Sequence, residues 1–121
     1  MLQDITQVVL AKALDASALR HRAIANNLAN VETPGYTRQD VSFEDQLGSA
    51  LNQPDSEDTV QQLQPNLISD SNEPVRENGN NVDVDKEMAK LAENTIQYES
   101  VLQSLTIKGG MLRTAIYEGR K

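Results

Sequence analysis

The chain contains no cysteine, so disulfides and thiolate metal sites are excluded, although that says little about compartment. It contains no tryptophan and one phenylalanine, and aromatics make up 3% of its 121 residues. A single compact core in a chain of this length normally carries several large aromatics. The hydrophobic fraction of 38% also lies below the roughly 45–50% of ordinary globular domains, though the two tallies differ in counting Gly and Tyr. One histidine excludes a His-based metal cluster and leaves no simple nucleophile–base–orienter set. Clustered positive charge is scarce too. The net charge is −7, and the basic clusters are Arg20-His21-Arg22 and Arg120-Lys121. That balance argues against nucleic acid and against an anionic membrane surface. No apolar run approaches the roughly 18 residues that span a bilayer, so direct membrane insertion is not expected. Residues 1–14 have neither a basic leading segment nor a clean apolar one, so no cleaved signal is expected.

What the chain does have is helical periodicity at both ends. A C-terminal seam runs Val84, Met88, Leu91, Thr95, Tyr98, Leu102, Leu105, Gly109, Leu112, Ile116, in alternating steps of four and three. An N-terminal seam runs Leu10, Leu14, Ser17, His21, Ile24, Leu28, Val31 with the same alternation. A repeat of about 3.5 residues keeps one stripe of a helix facing a partner helix along its length. Two long helices have much surface for their volume and are marginal alone. Much of the apolar surface is therefore expected to be buried only on oligomerisation, and function is to be sought in assembly before catalysis.

Three segments follow from the punctuation. Residues 1–35 hold a helix from about 4 to 31, with Asp4 as N-cap and Gln7 completing a capping box. It must stop before Thr33-Pro34-Gly35, because Pro34 disfavours helical geometry at the preceding residue and Gly35 supplies a turn. Residues 36–82 form a loop or extended arm. Within it, 41–47 fits either a short strand or one amphipathic turn, and 48–81 is polar with apolar islands at Val60/Leu63, Leu67/Ile68 and Val75. An arm of that composition is either functional or disordered until bound. Residues 83–121 hold a helix from about 84 to 118, capped by Asp83, a rod of about 50 Å. The expected fold is all-α: two long terminal helices packed as an antiparallel coiled-coil hairpin, joined by a long loop with short β segments.

Sites for chemistry are hard to find. His21 reads as a polar seam residue that sets register or meets solvent, ahead of a pH-sensitive contact. Asp83, Asp85 and Glu87 invite a calcium loop, but positions six and twelve counted from Asp83 are Met88 and Asn94 rather than Gly and Glu. Helix capping and the helix dipole account for the three acids. Gly109-Gly110 is no phosphate loop, since no Lys-Ser/Thr follows; it marks close helix packing in an assembly or a flexible joint. No catalytic residue, cofactor or metal is expected, and an enzyme is the least favoured class.

The stretch ANNLANVETPGYTR, residues 25–38, closely resembles the N-terminal motif of the bacterial flagellar rod/hook axial proteins. The matching positions are Ala25, Asn26, Asn27, Leu28, Ala29, Asn30, Thr33, Pro34, Gly35, Tyr36 and Arg38. A second block, GNNVDVDKEM from Gly79 through Asn80, Asn81, Val82 and Asp83 to Met88, resembles that family's entry into its C-terminal helix. The ending, residues 94–121, and the short middle resemble the proximal rod type. From the residues alone, three asparagines at a helix end suggest hydrogen bonds between chains or from helix to loop, and Tyr36 offers a rigid face with a polar tip.

The resemblance implies a structural subunit of the basal-body proximal rod, self-assembling into a helical tube that transmits torque and lines the export channel. It implies location on the periplasmic side of the inner membrane, reached through the flagellar type III export apparatus without a cleaved signal. It also implies, as partners, copies of the chain, other flagellar rod proteins, and the rod-to-ring adaptor with the inner-membrane ring. The alternatives are another rod or hook axial subunit, or a soluble coiled-coil adaptor or export chaperone, for which the ANNLAN–TPGY block would be unnecessary.

Overall fold

The computed structural model describes residues 4–119. They form α1 (Ile5–Ala29), β1 (Gln39–Ser42), α2 (Glu44–Leu51), α3 (Ser56–Gln62), β2 (Asn66–Ser69) and α4 (Val84–Glu118). The capping box at the start of α1 is present: Asp4 Oδ1 accepts from the Gln7 N–H at 3.0 Å, and the Gln7 side chain accepts from the Asp4 N–H at 3.4 Å. Asp83 caps α4, accepting from the Asp85 and Lys86 N–H groups at 3.0 and 3.3 Å. Among the described residues no helix is long and apolar enough to cross a membrane.

Three side-chain contacts set how α1 and α4 lie together. Asn27 meets Glu87, Asn94 donates to the Ser17 carbonyl at 2.9 Å, and Lys108 pairs with Asp4 at 3.1 Å. Numbers fall along α1 as they rise along α4, so the two helices run antiparallel. The N-terminal seam faces inward for most of its length. Ser17 and Ile24 are buried, Leu10, Leu14, Leu28 and Val31 half-buried, and His21 exposed.

The C-terminal seam behaves differently. Leu91, Leu105 and Leu112 are half-buried, but Val84, Met88, Tyr98, Leu102 and Ile116 are exposed. The inward line on α4 is Glu87, Leu91, Asn94, Val101, Leu105, Lys108, Leu112, which shares Leu91, Leu105 and Leu112 with the seam. The physical reason is that Glu87 and Asn94 find polar partners across the helix pair, so a polar line can be buried while an apolar one is left outside.

The connection between the long helices is folded, with two short helices that the polar composition of 48–81 did not suggest. Residues 41–47 realise both readings offered for them: Val41 and Ser42 end β1, and α2 begins at Glu44. The strands pair antiparallel, Gln39 with Ser69 through Ser42 with Asn66. On α1, small residues let this layer approach closely. Ala16 and Ala23 pack with Val41 and Phe43, and Val8 packs with Ala50 and Val60. Arg20 ties α1 to α2 through both carboxylate oxygens of Glu44, at 2.8 and 3.0 Å.

Phe43 is the one phenylalanine and is almost wholly buried. Phe43→Ala should lower unfolding free energy by about 3–5 kcal/mol. Ile96→Ala, on the open side of α4, should stay within about 0.5 kcal/mol of the parent. Urea melts of the two variants showing equal losses would contradict this placement of the core.

Candidate functional site

Arg38 is the centre of the site. It is 2% exposed and sits just before β1, facing the first turn of α4. Its Nε donates to Glu87 Oε1 at 2.6 Å, and its Nη1 to Asp70 Oδ2 at 2.5 Å. Glu87 is 1% exposed, and its second oxygen accepts from Asn27 Nδ2 at 3.1 Å. Taking a carboxylate and a guanidinium out of water costs several kcal/mol per ion unless their hydrogen-bonding capacity is met. Here both Glu87 oxygens are occupied, and Asp40 lies 3.5 Å from Arg38 as a further acceptor.

Asn27 fixes the start of β1 to α1. Its amide nitrogen donates to the Gln39 carbonyl at 2.8 Å as well as to Glu87, and its Oδ1 accepts from the Gln39 N–H at 2.8 Å. The Tyr36 hydroxyl donates to the same oxygen at 2.9 Å and accepts from Asn26 Nδ2 at 3.0 Å. Burial pushes the Tyr36 phenol above its ordinary value, which keeps that proton in place.

The second block closes over the first. Asn80, fully buried, donates through Nδ2 to the carbonyls of Asn30 and Thr33, both at 2.8 Å, so it holds the turns that follow α1. Its Oδ1 accepts from the Val82 N–H at 2.8 Å. Asn81 Oδ1 accepts from the Arg38 N–H at 2.6 Å, and its Nδ2 donates to the Asp70 carbonyl at 2.6 Å. Arg76 donates to the Val31 carbonyl, and the Gly35 N–H donates to the Asn78 carbonyl at 2.8 Å. Gly35 and Gly79 have φ of +74° and +85°, the left-handed region that favours glycine. A Cβ on Gly79 would also lie 3.2 Å from the Gly35 Cα, so the two turns touch backbone to backbone.

The two sequence blocks, more than forty residues apart, thus build one junction. Asn26, Asn27, Asn30, Thr33, Gly35, Tyr36, Arg38, Gly79, Asn80, Asn81 and Val82 all take part in it, Thr33 also donating to Asn30 Oδ1 at 3.1 Å. Pro34 stays exposed, and Asp83 serves as the cap of α4. Of the two readings for the asparagines, the bonds seen run from helix to loop. Glu87 corrects the sequence reading: it is no dipole-balancing surface acid but the buried partner of Arg38. Its spacing of four and seven from Leu91 and Asn94 placed it on the inward line, and that was the signal for it. Asp70 and Gln39 lie in segments without a pattern and had no such signal.

Each of these polar groups is spent on another group of the same chain. The junction welds two distant segments, and beyond it α4 leaves a set of apolar side chains exposed, among them Ile96, Ile107 and Met111. The class that this defines is a helical structural subunit.

Residues 9–37 match the family described as flagella basal body rod protein. The flagellar basal body rod protein FlgB of Bacillus subtilis (strain 168) is 34% identical over 121 residues, covering 92% of each chain. FlgB of Borreliella burgdorferi is 30% identical over 102 residues, covering 70% of this chain and 76% of that one. FlgB of Escherichia coli (strain K12) is 28% identical over 120 residues, covering 83% and 86%. The chain belongs to the flagellar basal body rod protein family, and it is a structural subunit of the basal-body rod.

Removing one member of a buried ion pair strands the other. Glu87→Ala should therefore lower unfolding free energy by about 3–5 kcal/mol, and Arg38→Met with Glu87→Leu together should cost less than the sum of the single changes. Additive losses in urea melts would mean that the two side chains are not coupled.

Asp70 supplies a pH dependence. Its carboxyl is held below the ordinary value, first by the Asn72 N–H and then, with partial burial opposing, by the Arg38 guanidinium. A carboxyl lowered in the folded state contributes stability that is fully present above its unfolded value of about 3.9 and is lost as pH falls through the folded one. The gap in unfolding free energy between the parent and Asp70→Asn should shrink once pH drops below about 4. A gap that holds constant from neutral to strongly acidic pH would show that the Asp70 charge is not used.

Proposed function

We propose that this subunit builds the proximal part of the rod. Copies assemble into a helical tube that transmits torque and lines the export channel. The observation that carries the reading is the set of apolar side chains that α4 leaves outside: Met88 is 50% exposed, Leu102 44%, Ile96 66% and Met111 65%. Exposed apolar surface on this scale marks an interaction surface rather than a finished exterior. In this reading Val84, Met88, Tyr98, Leu102 and Ile116 are the assembly seam, and the helix pair completes coiled-coil packing when neighbours cover it. Residues 1–35 and 83–121 form the rod core, and 36–82 form an arm that the Thr33–Tyr36 turn directs toward adjoining subunits.

The implied partners are copies of the chain, other rod proteins and the rod-to-ring adaptor with the inner-membrane ring. Delivery is through the flagellar type III apparatus, to the periplasmic side of the inner membrane, without a cleaved signal. No reaction is assigned, because the polar groups of the junction are engaged with one another.

Leu102→Asp should abolish motility in cells lacking the native copy, since a carboxylate forced into an apolar contact meets a desolvation cost of several kcal/mol. Because Leu102 is exposed in the single chain, the variant should keep the parent's circular dichroism. Asp55→Ala and Glu57→Ala, exposed on the arm, should swim normally. Normal swimming by Leu102→Asp would remove the seam from the assembly surface.

A further inference from the structure

The apolar surface of α4 is divided into two faces that point in different directions. At about 100° per residue, Met88, Tyr98 and Leu102 cluster on one side of α4, and Ile96, Ile107 and Met111 cluster roughly 150° further round. The inward line through Leu91, Asn94 and Leu105 borders the first face and lies roughly opposite the second.

The two faces also differ in shape. Tyr98 and Leu102 of the first belong to a groove of about 580 Å³ between α1 and α4, walled by Ala18, His21 and Arg22 on one side and by Thr95, Tyr98, Glu99 and Leu102 on the other. Buried Asn94 also lines it, and among the described residues its Oδ1 has no hydrogen-bond partner. The second face is a ridge. Ile96, Ile107 and Met111 are each more than half exposed, and Glu93 and Glu118 lie on the same side of the helix. A ridge flanked by carboxylates matches the α1 wall of that groove, which carries Arg22 and His21 from a basic cluster of an otherwise acidic chain, while Glu99 lies on the α4 wall.

From this we infer that the ridge of one copy seats in the α1–α4 groove of the next. The occupant is a second copy of this chain, and the contact is heterologous. Two faces that point roughly 150° apart on one helix cannot both be covered within a two-fold dimer; each copy keeps one free face for the next, so the contact propagates head to tail. The inference rests on the rod-subunit reading and adds which surface meets which.

Because the chain has no cysteine, single introduced thiols report contacts without background. Thr95→Cys marks the groove; Ser100→Cys, Gln103→Cys and Thr114→Cys mark the ridge side at three heights, all at exposed positions. Each ridge variant is co-produced with Thr95→Cys in cells lacking the native copy. Basal bodies are then isolated and oxidised, with the cysteine-free parent processed alongside. At least one ridge position should give a mixed disulfide with Thr95→Cys at tenfold or more the yield of Glu57→Cys, an exposed arm control. Same-position disulfides in excess of mixed ones, or no mixed disulfide above the control while the parent is present in the basal bodies, would overturn ridge-in-groove packing and leave the rod reading standing. Absence of the parent itself from isolated basal bodies would instead overturn the rod reading.

Discussion

The buried pair of Arg38 and Glu87 is the contact on which the rest of this structure depends. One charge comes from the segment that leaves α1 and the other from the first turn of α4, so satisfying either requires that both segments be in place. Neither can be exposed by a small movement, because each is almost wholly enclosed. A buried ion pair is weak evidence of net stability against an apolar alternative, since desolvation opposes the attraction. What it does is penalise every arrangement in which one partner is buried without the other. In a chain with few aromatics and a thin apolar core, such a device sets geometry where packing alone leaves choices open.

Asparagine does most of the remaining work, for a chemical reason. Its side chain offers a donor and an acceptor on a short stem, matching the backbone's own pair of groups. Asn27 pairs with Gln39 almost as a strand would, and Asn80 ties down the turns that follow α1 through the carbonyls of Asn30 and Thr33. Asn81 bridges Arg38 and Asp70. These residues are poor helix formers, and they sit where a helix ends and a loop must be held. The two left-handed glycines allow the loops to meet there at backbone distance.

The consequence for assembly is a division of labour along α4. Its N-terminal half is fixed by the junction and by Asn94 against Ser17. Its C-terminal half is tied near its middle by Lys108 to Asp4 and presents apolar side chains on two sides. A helix that is rigid at one end and adhesive along its length suits a subunit that must keep its shape while gaining neighbours. The arm packs on α1 through alanines, Val41 and Phe43, and Ile96, Ile107 and Met111 of α4 stay exposed.

The sequence by itself determined the two long helices, their caps at Asp4 and Asp83 and the break at Thr33-Pro34-Gly35. Those depend on local propensity, on periodicity and on the geometry of proline and glycine. The matched blocks at 25–38 and 79–88 were legible for the same reason, as unbroken strings of residues. What only the tertiary structure decided was which stripe of α4 faces α1, because that hinges on Glu87 and Asn94 finding partners far away in the chain. Periodicity ranks stripes by hydrophobicity and has no means of crediting a buried carboxylate with its arginine. The folded arm was hidden likewise: α2 and α3 are too short and polar to announce themselves, and they exist because Ala50 and Val60 find the Val8 flank of α1.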